Sequence, residues 1–243
     1  MKINFNKELA LSLNDTYLKA YPYPHVSIDN FIDKEDIKEC VSEMGLFNSW
    51  GFDPSEYSAQ YQQKKFFYPW GQGSEEIKET LSRHAPTCWK YLQYFNSSDF
   101  LSILEDLTGI KNLIPDNDFV GGGFHRIESG GRLSIHSDYN LHVSKKIYRR
   151  INLLVYLNEE WKEEWGGSLQ LWKKDMSELI TEFYPYAGKA IIFNTNDDSL
   201  HGHPHPLNTP IGKNRLSFAL YYFTEDRPEN EKSDHVSAQW YSC

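Results

Sequence analysis

The sequence predicts a mainly β chain with flanking α elements, a two-sheet β-barrel buttressed by N-terminal helices. Three observations lead there. From Phe119 onward, short β-branched and aromatic runs recur with a period of two, separated by Gly, Asn, Asp and Pro turns. No long helical pattern falls between those runs, which favours an antiparallel sandwich or barrel over βαβ units. The first hundred residues instead mix a strand with helical periodicity.

Taken in order, Pro24 to Phe31 (PHVSIDNF) reads as a short strand ending in a turn. Asp33 to Met44 reads as a helix, with Asp33 as its cap and Ile37, Val41 and Met44 on one side. A loop rich in Tyr and Gln follows, and Gln62, Gln63, Lys64 and Lys65 within it receive no role. Ser74 to Ala85 and Ser97 to Gly109 read as helices. The second has a serine cap, a stripe of Leu101, Leu104 and Leu107, and Gly109 as its stop. The strand candidates are then GFHRIES, GRLSIHSD, RINLLVYLN, GSLQLW, KAIIFNT and RLSFALYYF. Polar groups clustered inside such a barrel would make it a container for a small ligand.

Composition narrows the partners. Aromatic residues make up 15% of the 243, ample for an aromatic-lined cavity. The net charge of −9 should repel a phosphate backbone, so no nucleic-acid partner is expected. Cys40, Cys88 and Cys243 show no paired spacing, which fits a reducing compartment. With no signal-peptide pattern and no run long enough to cross a bilayer, the expectation is a cytoplasmic protein without a membrane partner.

The chemistry starts from Arg132 to Asn140, RLSIHSDYN. Residues i and i+2 of a strand share a side, so His136 and Asp138 would offer an imidazole and a carboxylate to one ion. With nine His and fifteen Asp in the chain, chance alone gives roughly half a His-x-Asp triplet, so its neighbours must carry the weight. A mononuclear iron site needs a second histidine and leaves three positions open. Ser199 to Leu207 (SLHGHPHPL) offers His201, His203 and His205. His201 is preferred, because it follows the NDDS turn where the next strand would begin, and His203 is the alternative. Arg215 and Ser217 share one face of RLSFALYYF, and an Arg fork beside a hydroxyl suits bidentate grip on a carboxylate.

These segments together resemble the iron(II)- and 2-oxoglutarate-dependent oxygenases, in particular the prolyl-4-hydroxylase-like branch. The resemblance runs through GGGFHRIESGGRLSIHSDYN, RRINLLVYLNEEWKEEWGGSLQLW, AGKAIIFNTNDDSLHGHPHPL and GKNRLSFALYYFT, roughly residues 119 to 224, with YPYPHVSIDNFID as a lead-in. It implies a double-stranded β-helix (jelly-roll) in one domain over 1–243. Residues 1–118 would give mixed α/β support, 119–226 the catalytic core and 227–243 a polar tail. It implies Fe(2+) on His136, Asp138 and His201, and the far carboxylate of 2-oxoglutarate on Arg215 with help from Ser217. O2 is the oxidant, and ascorbate is an optional accessory. The implied reaction hydroxylates a C–H bond of a peptidyl residue such as proline, or of a small molecule, while 2-oxoglutarate becomes succinate and CO2. The resemblance leaves oligomeric state open.

Departures from the family pattern refine this. Asp138 stands where related halogenases carry Gly or Ala. Tyr221 stands six places after Arg215, where nucleic-acid demethylases tend to carry a second arginine. Arg126 stands ten before His136, where prolyl hydroxylases often place a cosubstrate tyrosine. Competing readings are a non-catalytic, cupin-like binding module and a nucleic-acid demethylase. Among smaller features, VGGGF reads as a bend, one at most of His125 and Arg126 faces the cavity, and SKKIYRR reads as a solvated basic face. NEEWKEEWGGS reads as a hairpin whose tryptophans lie over the barrel edge. Asn152, Tyr156 and Trp172 suit either a substrate channel or the core.

Overall fold

The computed structural model describes residues 1–47, 60–68 and 75–241. Among the described residues, five helices precede most of the sheet: α1 (Lys7–Lys19), α2 (Lys34–Leu46), α3 (Glu75–His84), α4 (Pro86–Phe95) and α5 (Ser98–Thr108). The side chains of Asp33 and Ser97 cap α2 and α5 as their sequences predict, and Gly109 closes α5 in the left-handed region at φ 73°. Two helices escape the sequence reading. α1 is capped by Asn6, and α4 opens with Pro86 at its first turn, where a missing N–H costs nothing.

Eleven strands form one antiparallel sheet that curls on itself among the described residues. They are β1 (His25–Ile28), β2 (Gln62–Tyr68), β3 (Ile114–Pro115), β4 (Gly123–Ser137), β5 (Tyr148–Tyr156), β6 (Leu169–Trp172), β7 (Leu179–Phe183), β8 (Ala190–Asn194), β9 (His201–His203), β10 (Arg215–Thr224) and β11 (Gln239–Trp240). The order β1-β8-β5-β10-β4-β9-β6-β7 is that of a jelly-roll, and β4 is its hinge. Sequence suggests two strands there. The structure has one of fifteen residues, whose first half pairs with β10 and second half with β9. Gly130, at φ 79°, lies between the halves.

The period of two sorts the core from the cavity. On β5, Ile151, Leu153 and Val155 face the helices, as do Phe218, Leu220 and Tyr222 on β10 and Ala190 and Ile192 on β8. They pack against Phe5, Phe31, Phe95 and Phe100, whose rings meet at 5.1–6.3 Å. Each such aromatic pair adds about 0.5–1.5 kcal/mol beyond area burial. The alternate residues, Asn152 and Leu154 on β5 and Arg215, Ser217 and Tyr221 on β10, line the inside of the roll. One face of the major sheet thus anchors the support helices and leaves the other free for polar chemistry.

Trp161 and Trp165 are buried rather than draped over an edge. A 3-10 turn at Glu163–Trp165 folds them against Ile127 and Leu207. No helix among the described residues is long and apolar enough to cross a membrane.

Candidate metal and cosubstrate site

His136, Asp138 and His201 converge inside the roll, with one ligand atom from each lying within 4.8 Å of the others. His136 sits directly opposite His201 across the β4–β9 pair, so the register itself brings the imidazoles together, ring centroids 4.4 Å apart. His136 Nε2 lies 3.6 Å from Asp138 Oδ1, and His201 Nε2 lies 3.4 Å from Oδ2. For donor atoms about 2.1 Å from a shared cation, mutual separations of roughly 3.0–3.5 Å are the geometric requirement. Gly202 makes this approach possible. A Cβ there would lie 2.7 Å from the Ser134 carbonyl oxygen and 2.9 Å from that of Leu133.

The tautomers suit a cation. Nδ1 of His136 is 2.9 Å from the Ser134 carbonyl, and Nδ1 of His201 is 2.9 Å from the Ser199 carbonyl. A carbonyl can only accept, so each Nδ1 carries a proton and each Nε2 is the ring nitrogen turned toward Asp138. Burial, with His136 alongside, holds the His201 pKa down to about 4, so that imidazole is neutral, as a ligand must be.

Asp138 is held from behind. Asn152 donates to Oδ2 at 2.7 Å, and Arg149 pairs with the same oxygen at 2.9 Å. Burial alone would raise this carboxyl's pKa, but Arg149, His201 and His136 together bring it well below the ordinary carboxylate value. Oδ2 is therefore held by Asn152 and Arg149 while facing His201, and Oδ1 faces His136. Two imidazoles and one oriented carboxylate on one side of a cavity form the donor set of a 2-His-1-carboxylate facial triad.

Arg215 enters the same cavity from β10 with Ser217 beside it. Its Nε donates to the Gly167 carbonyl at 2.8 Å and one terminal nitrogen donates to Tyr156 Oη at 3.0 Å, fixing the guanidinium plane. Gly167 adopts φ 72°, and a Cβ there would lie 2.5 Å from Leu207 and 3.2 Å from the Arg215 stem. The Gly-Gly of EEWGGS thus lets the backbone close on the arginine.

The structure also shows where the residues that sequence left open or missed lie. His201 joins His136 and Asp138. His203, two places on, sits opposite Leu133 instead, and its ring lies beside Arg215. His125 lines the cavity and donates from Nε2 to the Gly121 carbonyl at 2.9 Å, while Arg126 packs outside on Phe66. Asn152 lines the cavity, whereas Tyr156 packs in a core cluster with Leu169, Leu171, Ile191 and Phe193 and reaches Arg215 through its hydroxyl. The basic run SKKIYRR is not a solvated face throughout, because Arg149 is buried and stacks 3.4 Å from the Tyr221 ring centroid. The reason is a β-bulge. Phe223 faces Arg149 and Tyr222 faces Ile151, so Arg150 is an extra residue that reverses the alternation.

Comparison with known proteins agrees with this geometry. Residues 122–223 match the family model described as the 2OG-Fe(II) oxygenase superfamily. No curated protein matches the chain. Among solved structures, a Trichoplax adhaerens prolyl hydroxylase in complex with a hypoxia-inducible-factor peptide fragment aligns with TM-score 0.60 at 18% identity, covering 90% of each chain. A Pseudomonas putida prolyl-4-hydroxylase aligns at 0.57 and 14% identity, covering 90% of this chain and all of the other. HygX from Streptomyces hygroscopicus, with nickel and 2-oxoglutarate bound, aligns at 0.57 and 14%, covering 90% and 93%. Residues 122–223 thus form a 2OG-Fe(II) oxygenase domain, a jelly-roll that brings a His-Asp-His donor set together, and mark the chain as a dioxygenase that uses iron(II), 2-oxoglutarate and O2.

Proposed function

We propose that His136, Asp138 and His201 hold the iron, that Arg215 with Ser217 binds the distal carboxylate of 2-oxoglutarate, and that the product is an alcohol. The substrate would be a peptidyl residue such as proline, or a small molecule. One observation carries this reading: two imidazole Nε2 atoms and a carboxylate oxygen meet in a buried cavity that also holds a fixed guanidinium. Bound iron(II) supplies the redox chemistry that couples decarboxylation of 2-oxoglutarate to oxidation of a C–H bond.

The protein's own residues orient and exclude. Asn152 and Arg149 keep Asp138 ionised and turned, while the Ser134 and Ser199 carbonyls keep both imidazoles aimed. A planar guanidinium already locked by Tyr156 and Gly167 loses little freedom on gripping a carboxylate. Asp138, rather than a residue too small to ligate, favours hydroxylation over halogenation. The two substrate classes draw support from neighbours of the fold, one solved with a peptide and one with hygromycin B.

The test is binding before turnover. Anaerobic iron(II) protein should bind 2-oxoglutarate, and admission of O2 should release succinate slowly without substrate. Asp138→Ala should abolish both iron retention and succinate release. Retention of iron by that variant would remove the assignment.

A further inference from the structure

Lys65 lies outside the residues 122–223 that match the family, yet its side chain enters the same cavity. The register explains how. Lys65 faces Ile127 on β4, and Ile127 faces Arg215 on β10, so the three share one side of adjacent strands. Lys64 takes the irregularity in β2 at φ 49° and turns outward, donating to the Ser129 carbonyl at 2.8 Å. Phe67, next on the inward face, packs on His125 with centroids 5.6 Å apart and lies 5.7 Å from the Lys65 ammonium. Among the described residues no carboxylate or carbonyl accepts from that ammonium. His203 is buried beside it, and neither of its ring nitrogens has a hydrogen-bond partner among the described residues.

Charge makes this arrangement a statement about the substrate. Iron(II), the Asp138 carboxylate and dianionic 2-oxoglutarate together leave one net negative charge. Arg149 and Arg215 more than balance it, leaving one net positive charge, and Lys65 raises that to two. Buried charge without a counter-charge is disfavoured by several kcal/mol, so a loaded site of this kind is completed by an anion.

We propose that Lys65, with His203 beside it, is the anion-binding part of the substrate site, so that the substrate is a small molecule bearing a carboxylate or phosphate. The proposal rests on the iron and 2-oxoglutarate assignments above, because the charge balance takes them as given. It also separates two cationic posts: Arg215 for the cosubstrate and Lys65 for the molecule being oxidised.

The experiment uses anaerobic iron(II) protein saturated with 2-oxoglutarate and follows binding by calorimetry. The probes are inorganic phosphate, N-acetyl amino acids against their carboxamides, and sugar phosphates against the parent sugars. The acids or the phosphates should bind at least about tenfold more tightly than their neutral partners. Which series binds distinguishes a carboxylate from a phosphate. Lys65→Met should remove that preference while changing 2-oxoglutarate affinity by less than about threefold, and Lys65→Arg should restore part of it. Equal binding within every pair, or no binding of any anion at millimolar concentration, would overturn the proposal. So would a Lys65→Met variant that loses 2-oxoglutarate affinity as fully as Arg215→Met. Failure of the wild type to bind 2-oxoglutarate would instead remove the functional reading, and this proposal with it.

Discussion

Exchanging Lys65 for Met in the metal-free protein keeps the length of the side chain and removes its charge. Burial is the main reason that the Lys65 pKa falls from 10.5 to about 8. Asp138, just past the end of β4, opposes the fall, and Arg215 on β10 and Arg149 on β5 add to it. His125 and His203 face the same space as buried, uncharged rings. At about 1.4 kcal/mol per pH unit, a charged Lys65 costs the folded state about 3 kcal/mol, and about 2 kcal/mol once water around a half-buried side chain is allowed for. Below pH 8 folded and unfolded chains both hold the proton, and the whole cost is present. Between pH 8 and about 10.5 the folded chain releases it while the unfolded chain keeps it, so wild-type stability rises with pH. Lys65→Met should therefore be more stable at pH 7, by roughly 4–8 °C in Tm for a chain of this size. That advantage should shrink to nothing by about pH 10.5. Calorimetric melts of both proteins in chelator at pH 7, 9 and 10.5 give the comparison. A variant less stable at pH 7, or a gap that does not change with pH, refutes the reasoning.

Arg215→Met should raise the dissociation constant for 2-oxoglutarate by about 30-fold or more while iron still binds, because it removes one charge-assisted fork; equilibrium titration under nitrogen measures both. Gly202→Ala pushes a methyl group into the Ser134 carbonyl and should cost about 1–3 kcal/mol of stability and weaken metal affinity, read by urea unfolding and metal titration. Arg149→Met strips Asp138 of its buried counter-charge and should destabilise the metal-free protein at pH 7 by about 3 kcal/mol. An unchanged unfolding midpoint would show that the pair contributes nothing there.

Much of the site was legible because strands obey a rule of two. His136 with Asp138, and Arg215 with Ser217, could be placed on shared faces from spacing alone. The preference for His201 over His203 came from the NDDS turn, and its physical reason lies in the cross-strand register, since both point the same way from β9 and only one sits opposite His136. Arg149 was unreadable for a related reason. The extra residue Arg150 inverts the alternation, and no local feature of SKKIYRR announces a bulge. Lys65 was hidden in the same manner by the irregularity at Lys64, within a polar strand that looks like a loop. α4 lay unread because its buried residues, Cys88, Tyr91, Leu92 and Phe95, follow a proline that reads first as a breaker. The asymmetry is physical: regular alternation transmits information along the chain, and every irregularity resets it.

The last described strand carries a consequence of its own. β11 pairs with the end of β4 and lays the Trp240 indole 4.9 Å from the His136 ring, with Tyr61 stacked at 5.1 Å on the indole. A fluorophore sits in contact with an imidazole assigned to the metal, so the molecule contains its own optical gauge of occupancy. Paramagnetic iron arriving there would dim the emission of that indole, whereas a diamagnetic ion such as zinc would leave it brighter, allowing loading to be followed without dye or label.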